Sequence, residues 1–248
     1  MIHPSGASVS FYWPFTKSIS DDYTIYAIQS PFLLSDYACI DNMDEIADIY
    51  LGYIRNEQKE GPYILGGASF GGGVAHAVAS KLLQKNETVR LLFMMDTPAP
   101  TEKPSIKKKD IETLAYLFDI NINFDEMHKS FFEKSFLEQI KYLKNSKLCS
   151  SLRIFTIQQI EKIYKICKDN ANALWGYKPK PISQKILYFL ATERSEFSPH
   201  INPSQSWKPY TTQDLDVIEI LGNHKSINQY PNVKKITNYI ETYLKEML

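Results

Sequence analysis

Gly67-Ala68-Ser69-Phe70-Gly71 directly follows the apolar run Tyr63-Ile64-Leu65 and directly precedes a helix-like stretch from Val74 to Leu83. A chain that leaves a strand and doubles back into a helix has no room for side chains two positions to either side of the tip. Glycine at 67 and 71 around Ser69 therefore reads as a sharp strand-to-helix turn, a nucleophile elbow that exposes the serine. The helix N-terminus beneath Ser69 favours developing negative charge. The pentapeptide alone would also suit an ordinary glycine-rich turn, and the flanking strand and helix patterns select the elbow. A phosphate cradle is disfavoured, because no Lys-Ser/Thr follows the glycines and Gly71-Gly72-Gly73 lacks the G-x-G-x-x-G spacing.

Outward from the elbow, the apolar pattern predicts an α/β fold. Tyr23 to Ile28 alternates and ends at Gln29-Ser30-Pro31, which predicts a strand. Ile46, Ile49, Tyr50, Tyr53 and Ile54 share one helical face after an Asp/Asn-rich start. Gly61-Pro62 breaks the chain into the strand Tyr63 to Gly67, after which the elbow helix carries Val74, Val78 and Leu82 on one side and Val89 to Met95 forms the next strand. These strands are continuously apolar rather than alternating, as in a mostly parallel sheet covered by helices on both faces.

Residues 102–178 break that rhythm with helical patterns near 110–118, 126–144 and 156–175, the last opened by a Thr156/Gln159 capping box. Strands resume at Lys185 to Ala191 and Leu215 to Leu221, and a final helix has Pro231 near its start and Val233, Ile236, Ile240 and Leu244 facing inward. The block 102–178 is thus an insertion between sheet strands, with the geometry of a lid. Of its aromatics Tyr116, Phe118, Phe124, Phe131, Phe132, Phe136, Tyr142, Phe155 and Tyr164, about a third are expected to line a pocket and the rest to pack.

The chain has 248 residues and 44% hydrophobic composition, enough for one domain spanning 1–248. Lys plus Arg and Asp plus Glu number 28 each, so no global field favours nucleic acid or an anionic membrane. The run Lys107-Lys108-Lys109 reads as a solvated face. Cys39, Cys149 and Cys167 contain no C-x-x-C pair, which suits reduced thiols in a cytoplasmic protein. No metal is expected, because His3, His76, His128, His200 and His224 show no ligand spacing. The apolar runs Leu91 to Met95 and Ile186 to Ala191 are too short to span a bilayer, and Met1-Ile2-His3-Pro4 is not a signal sequence.

A serine hydroxyl becomes a nucleophile when a base takes its proton, and that base needs an acid to orient it. Asp96 closes the strand after the elbow helix, and His224 lies in Gly222-Asn223-His224 just past the last strand. Both positions fall on the rim of the sheet that carries Ser69. His76 in the elbow helix, His128 and His200 read as structural or solvent-facing, and His3 as shaping the loop that it begins. An oxyanion hole needs two backbone N–H groups. Phe70, the residue after the nucleophile, supplies one, and Ser5 or Gly6 in His3-Pro4-Ser5-Gly6-Ala7-Ser8 is the candidate for the other.

Taken together, His3-Pro4-Ser5-Gly6, Gly67 to Gly72, Leu92 to Asp96 with Thr97-Pro98-Ala99-Pro100, and Gly222-Asn223-His224 resemble the thioesterase domains of polyketide and non-ribosomal peptide synthetases. The resemblance spans nearly the whole chain. It implies an α/β-hydrolase with a helical lid, with Ser69 as nucleophile, His224 as base and Asp96 as acid. An acid at Asp96 implies the chain-releasing type, since stand-alone editing thioesterases carry it later; Asp214 and Asp216 precede or enter a strand and so fall on the wrong rim. The substrate implied is an acyl, peptidyl or polyketide chain on the phosphopantetheine arm of an acyl or peptidyl carrier protein, with no cofactor of the domain's own.

There are two departures from the family. Ala68 stands where the family often has a larger residue. The family also has a central strand leading into the His-Pro-x-Gly loop, between the strands at Tyr23 and Tyr63, whereas here the loop begins at His3. A truncated or mis-started product, or part of a longer synthetase, is the corresponding expectation, with a poorly held second oxyanion donor. The alternatives are an editing thioesterase, a carboxylester hydrolase or acyltransferase on the same triad, and an inert docking domain.

Overall fold

The computed structural model describes residues 1–34, 40–102, 109–146, 149–194 and 202–246. Cys39, Lys107, Lys108 and His200 lie outside these described residues. In chain order the elements are helix α1 (Trp13–Thr16), α2 (Met43–Glu57), strand β1 (Tyr63–Ala68), α3 (Phe70–Gln84), β2 (Val89–Met95), α4 (Asp110–Leu117), α5 (Lys129–Phe132), α6 (Phe136–Asn145), α7 (Ile157–Gly176), β3 (Ile186–Ala191), α8 (Pro203–Ser206), β4 (Leu215–Ile220) and α9 (Asn232–Glu246). The strands form a parallel sheet in the order β1-β2-β3-β4. This is the α/β architecture expected from the sequence.

The continuously apolar strands are explained by burial on both faces. Leu92 and Met94 pack with Met43, Ile46 and Tyr50 of α2 and with Val74, Val78 and Leu82 of α3. Leu91, Phe93 and Met95 point the other way, into a core with Tyr12, Phe15, Phe189, Val233, Ile236 and Ile240. Each fully buried side chain of this size contributes roughly 1.5–3 kcal/mol. The lid has a core of its own, in which Ile111, Leu114, Phe131, Ile140, Leu143, Leu152 and Ile160 are buried together.

In the register of the sheet Ala68 pairs with Met95, Met95 with Phe189 and Ala191 with Ile220. The residues that follow the strands therefore emerge on one rim, which is where an open parallel sheet places its ligands.

Two expectations need correction. Tyr23 to Ile28 is not a continuous strand: only Ile28 forms a bridge, parallel to Ile2, which also bridges Gly67. Met1–His3 lies between them, with Ile2 N–H donating to Gly66 O, His3 N–H to Ile28 O and Ile28 N–H to Met1 O. One bridging residue cannot propagate a ladder, so the alternation at Tyr23 has no partner to register against. The pattern at 126–144 also resolves into α5 and α6, because Ser135 starts a new helix. Its hydroxyl accepts from Glu138 N–H, and the Glu138 carboxylate accepts from Ser135 N–H at 2.9 Å.

Candidate active site

Ser69 has φ 55° and ψ −127°, the strained tip between β1 and the first turn of α3. The flanking glycines follow from this turn. A Cβ on Gly67 would lie 2.3 Å from the Gly71 carbonyl carbon, and one on Gly71 would lie 2.2 Å from Ile2 O. The turn is clamped from outside, as Ser69 N–H donates to Met95 O at 2.9 Å and Ala68 N–H donates to the Tyr12 hydroxyl at 2.8 Å.

Asp96 lies beyond the neighbouring strand, fully buried, with φ 45°. The turn it begins is held by Thr97 O, which accepts from the Tyr188 hydroxyl at 2.6 Å and from Trp207 Nε1 at 2.8 Å. Four donors engage the Asp96 carboxylate. Oδ1 accepts from Ala191 N–H at 3.0 Å and Arg194 Nη2 at 2.8 Å, while Oδ2 accepts from Arg194 Nη1 at 3.0 Å and His224 Nδ1 at 2.7 Å. Burial pushes the acidity of Asp96 toward the neutral form, and hydrogen bonds and charge from His224 and Arg194 outweigh this and hold its pKa below the ordinary value.

His224 is carried by a turn in which Gly222 has φ 99°, Asn223 Oδ1 accepts from the N–H groups of Lys225 and Ser226, and Ser226 Oγ accepts from Asn223 N–H. A Cβ on Gly222 would lie 2.4 Å from Ser226 Oγ. Among the described residues the Asp96 contact is the one hydrogen bond of His224, and it is made by Nδ1. The next residue ties this turn to the lid: Lys225 Nζ donates to Tyr116 O, pairs with Asp119 and lies 4.2 Å from the centre of the Tyr116 ring.

Ser69 and His224 line one cavity of about 1520 Å³, together with Ser5 and Gly6. Its lid side includes Tyr116, Phe118 and Phe155 among the aromatics and Ile163, Ala171 and Trp175 from α7. Most lid aromatics pack instead, among them Phe131, Phe136 and Tyr164. The loop with Ser5 and Gly6 is well anchored. Ala7 N–H donates to Pro4 O at 3.0 Å, Ser30 N–H to Ala7 O at 3.0 Å, and Asn170 of α7 to Ser5 O at 2.9 Å. Phe70 follows Ser69 as the first residue of α3 and is buried.

The remaining candidates fall elsewhere. Asp216 pairs with Lys185 at 2.7 Å, and Asp214 precedes β4, so both lie at the opposite end of the sheet from Asp96. His76 is buried between the Tyr177 hydroxyl and Tyr210 O, His3 between Pro4 O and the Tyr50 hydroxyl, and His128 caps α5. Sequence reasoning missed Tyr12, Asn170, Tyr188, Arg194 and Trp207. Of these, only Arg194 carries a local signal: it is a cation three residues past the end of β3, on the rim that holds Asp96.

The thioesterase domain model matches residues 1–244. Over 249 aligned residues the chain is 29% identical to a dimodular nonribosomal peptide synthase of Bacillus subtilis (strain 168), covering 99% of this chain and 10% of that protein. It superposes on a four-domain nonribosomal peptide synthetase solved with AMP and glycine, with TM-score 0.83, 25% identity, and coverage of 97% of this chain and 19% of that one. It also superposes on the NocB thioesterase domain in a covalent complex with a fluorophosphonate nocardicin G analogue, with TM-score 0.70, 17% identity, and coverage of 98% of this chain and 92% of that one. With the family model matching almost end to end on an α/β sheet that carries an elbow serine, the chain belongs to the thioesterase domain family.

Proposed function

We propose that this domain releases an acyl, peptidyl or polyketide chain from the phosphopantetheine thioester of a carrier protein, through an acyl-enzyme on Ser69. The observation that carries this reading is the His224 Nδ1 to Asp96 Oδ2 hydrogen bond of 2.7 Å at the cavity that Ser69 lines. In that reading His224 Nε2 takes the Ser69 proton as Oγ bonds to the thioester carbonyl carbon. The tetrahedral oxyanion is met by the Phe70 N–H and by an N–H of Ser5 or Gly6. Collapse breaks the C–S bond, and His224 returns its proton to the departing thiol. Water or a nucleophile within the acyl chain, deprotonated by the same imidazole, then bonds to the acyl carbon, the C–O bond to Ser69 breaks, and the imidazole gives its proton to Oγ.

The size of the cavity favours a long substrate. Pockets for small molecules run roughly 300–1,000 Å³, and this one, about 1520 Å³, is larger. Its lid side offers Phe118, Phe155, Ile163 and Trp175 to apolar groups. The same triad would also serve a carboxylester hydrolase. The discriminating experiment compares kcat/KM for octanoyl thioester on a phosphopantetheinylated carrier protein with that for p-nitrophenyl octanoate. A clear preference for the carrier-bound thioester is expected, and a preference for the simple ester moves the chain to the esterase reading.

A further inference from the structure

The Asp96 carboxylate is shared. A triad acid needs one hydrogen bond to its histidine and enough local donors to stay ionised in a buried place. Here a bidentate guanidinium is added, with Nη2 on Oδ1 at 2.8 Å and Nη1 on Oδ2 at 3.0 Å, the latter being the oxygen that accepts from His224. Arg194 is fixed at its own end as well, since Nη2 also donates to Ala191 O. Glu193 N–H donates to Gly222 O at 2.8 Å, which ties the loop bearing Arg194 to the loop bearing His224. Arg194 is 27% exposed and Asp96 wholly buried, so the cation reaches in from the rim.

We infer that Arg194 is a positioning residue for the reaction: it locks the buried Asp96 carboxylate in one orientation, with Oδ2 held on His224 Nδ1. This rests on the triad reading above. The bidentate fork occupies a lone pair on each carboxylate oxygen and fixes the plane of the group, which aims Oδ2 at Nδ1. Arg194 also keeps Asp96 charged as the pH falls, so the acid does not lose its hold on Nδ1.

Among the described residues, the other charged and titratable groups around the pair have partners of their own. On β3, Tyr188 is buried and donates to Thr97 O, and burial holds it neutral. Glu102, after β2, is bound to Ala99 N–H and Asn202 N–H. On the His224 side, Lys225 is paired with Asp119 of the lid. Among the described residues, Arg194 is therefore the Lys or Arg in direct contact with Asp96.

The test uses the whole chain and a fluorophosphonate probe, following the pseudo-first-order labelling rate of Ser69 from pH 5 to 9 in wild type, Arg194→Gln and Arg194→Lys. The His224 imidazole is followed in parallel by NMR in 13C-histidine-labelled protein, with the buried His3 and His76 resonances as a check on the fold. In Arg194→Gln the labelling rate is expected to fall about tenfold and the His224 resonance to move, with the His3 and His76 resonances unchanged. In Arg194→Lys, which keeps the charge but not the bidentate fork, the rate is recovered in part. If the labelling rate and the His224 resonance stay at their wild-type values while only the thermal midpoint falls, Arg194 is an ordinary structural ion pair and the inference is overturned. If wild-type Ser69 does not label at all, the triad reading fails and takes this inference with it.

Discussion

The Tyr12 hydroxyl donates to Ile2 O at 2.5 Å and accepts from Ala68 N–H at 2.8 Å, so one buried phenol joins the N-terminal stretch to the residue before Ser69. Tyr12 is 1% exposed, and no solvent can replace either bond. Tyr12→Phe leaves a buried donor and a buried acceptor unpaired, at a cost of about 1–3 kcal/mol for each group. Urea unfolding should show a lowered midpoint with an unchanged slope. An unchanged midpoint would mean that the elbow is held without this link.

Two glycines should respond in opposite directions. Gly71→Ala drives a methyl onto Ile2 O at 2.2 Å, backbone against backbone, and is expected to cost about 3 kcal/mol or to prevent folding. Gly52 lies inside α2 with nothing within 4 Å of where a methyl would stand, and Gly52→Ala should stabilise by about 0.5–1 kcal/mol. Thermal midpoints of the two variants check the pair.

His3 and His76 set a pH window for stability. Burial pushes both down to about 4 from 6.5, against the opposing carbonyl contacts of Pro4 and Tyr210. The unfolded chain therefore takes up protons at these residues that the folded chain refuses. Their contribution is intact above pH 6.5 and lost as the pH falls toward 4, by up to ~3 kcal/mol each. Asp96, held below its ordinary 3.8, adds its loss only under that pH. Urea midpoints at pH 7.5 and 4.5 should differ accordingly, and His76→Gln should shrink the difference; equal midpoints would show that these histidines titrate normally in the fold.

The legible parts of the sequence were those with short-range causes. A continuously apolar Val89 to Met95 identifies a strand covered on both faces, and Gly67 with Gly71 identifies a turn that side chains would block. Thr156 and Gln159 cap α7 because capping is settled within four residues. Tyr23 to Ile28 misled for the opposite reason: whether a segment ladders depends on its neighbour, and Ile2 offers a single bridge. The same holds at the site. Asp96 and His224 could be placed on one rim from strand order alone, whereas Tyr12 reaches its partner across 56 residues of chain, where local pattern carries no information, and Arg194 reaches Asp96 across 98, signalled only by its place just past β3.

The central claim is that Ser69 carries the acyl chain. Mixing the domain with octanoyl-pantetheine thioester, quenching in acid and measuring the intact mass followed by peptide mapping tests this most directly. Wild type should show an octanoyl adduct on the peptide bearing Ser69. Ser69→Ala should show no adduct and no thioester turnover above background. An adduct at another residue, or turnover retained in Ser69→Ala, would contradict the account.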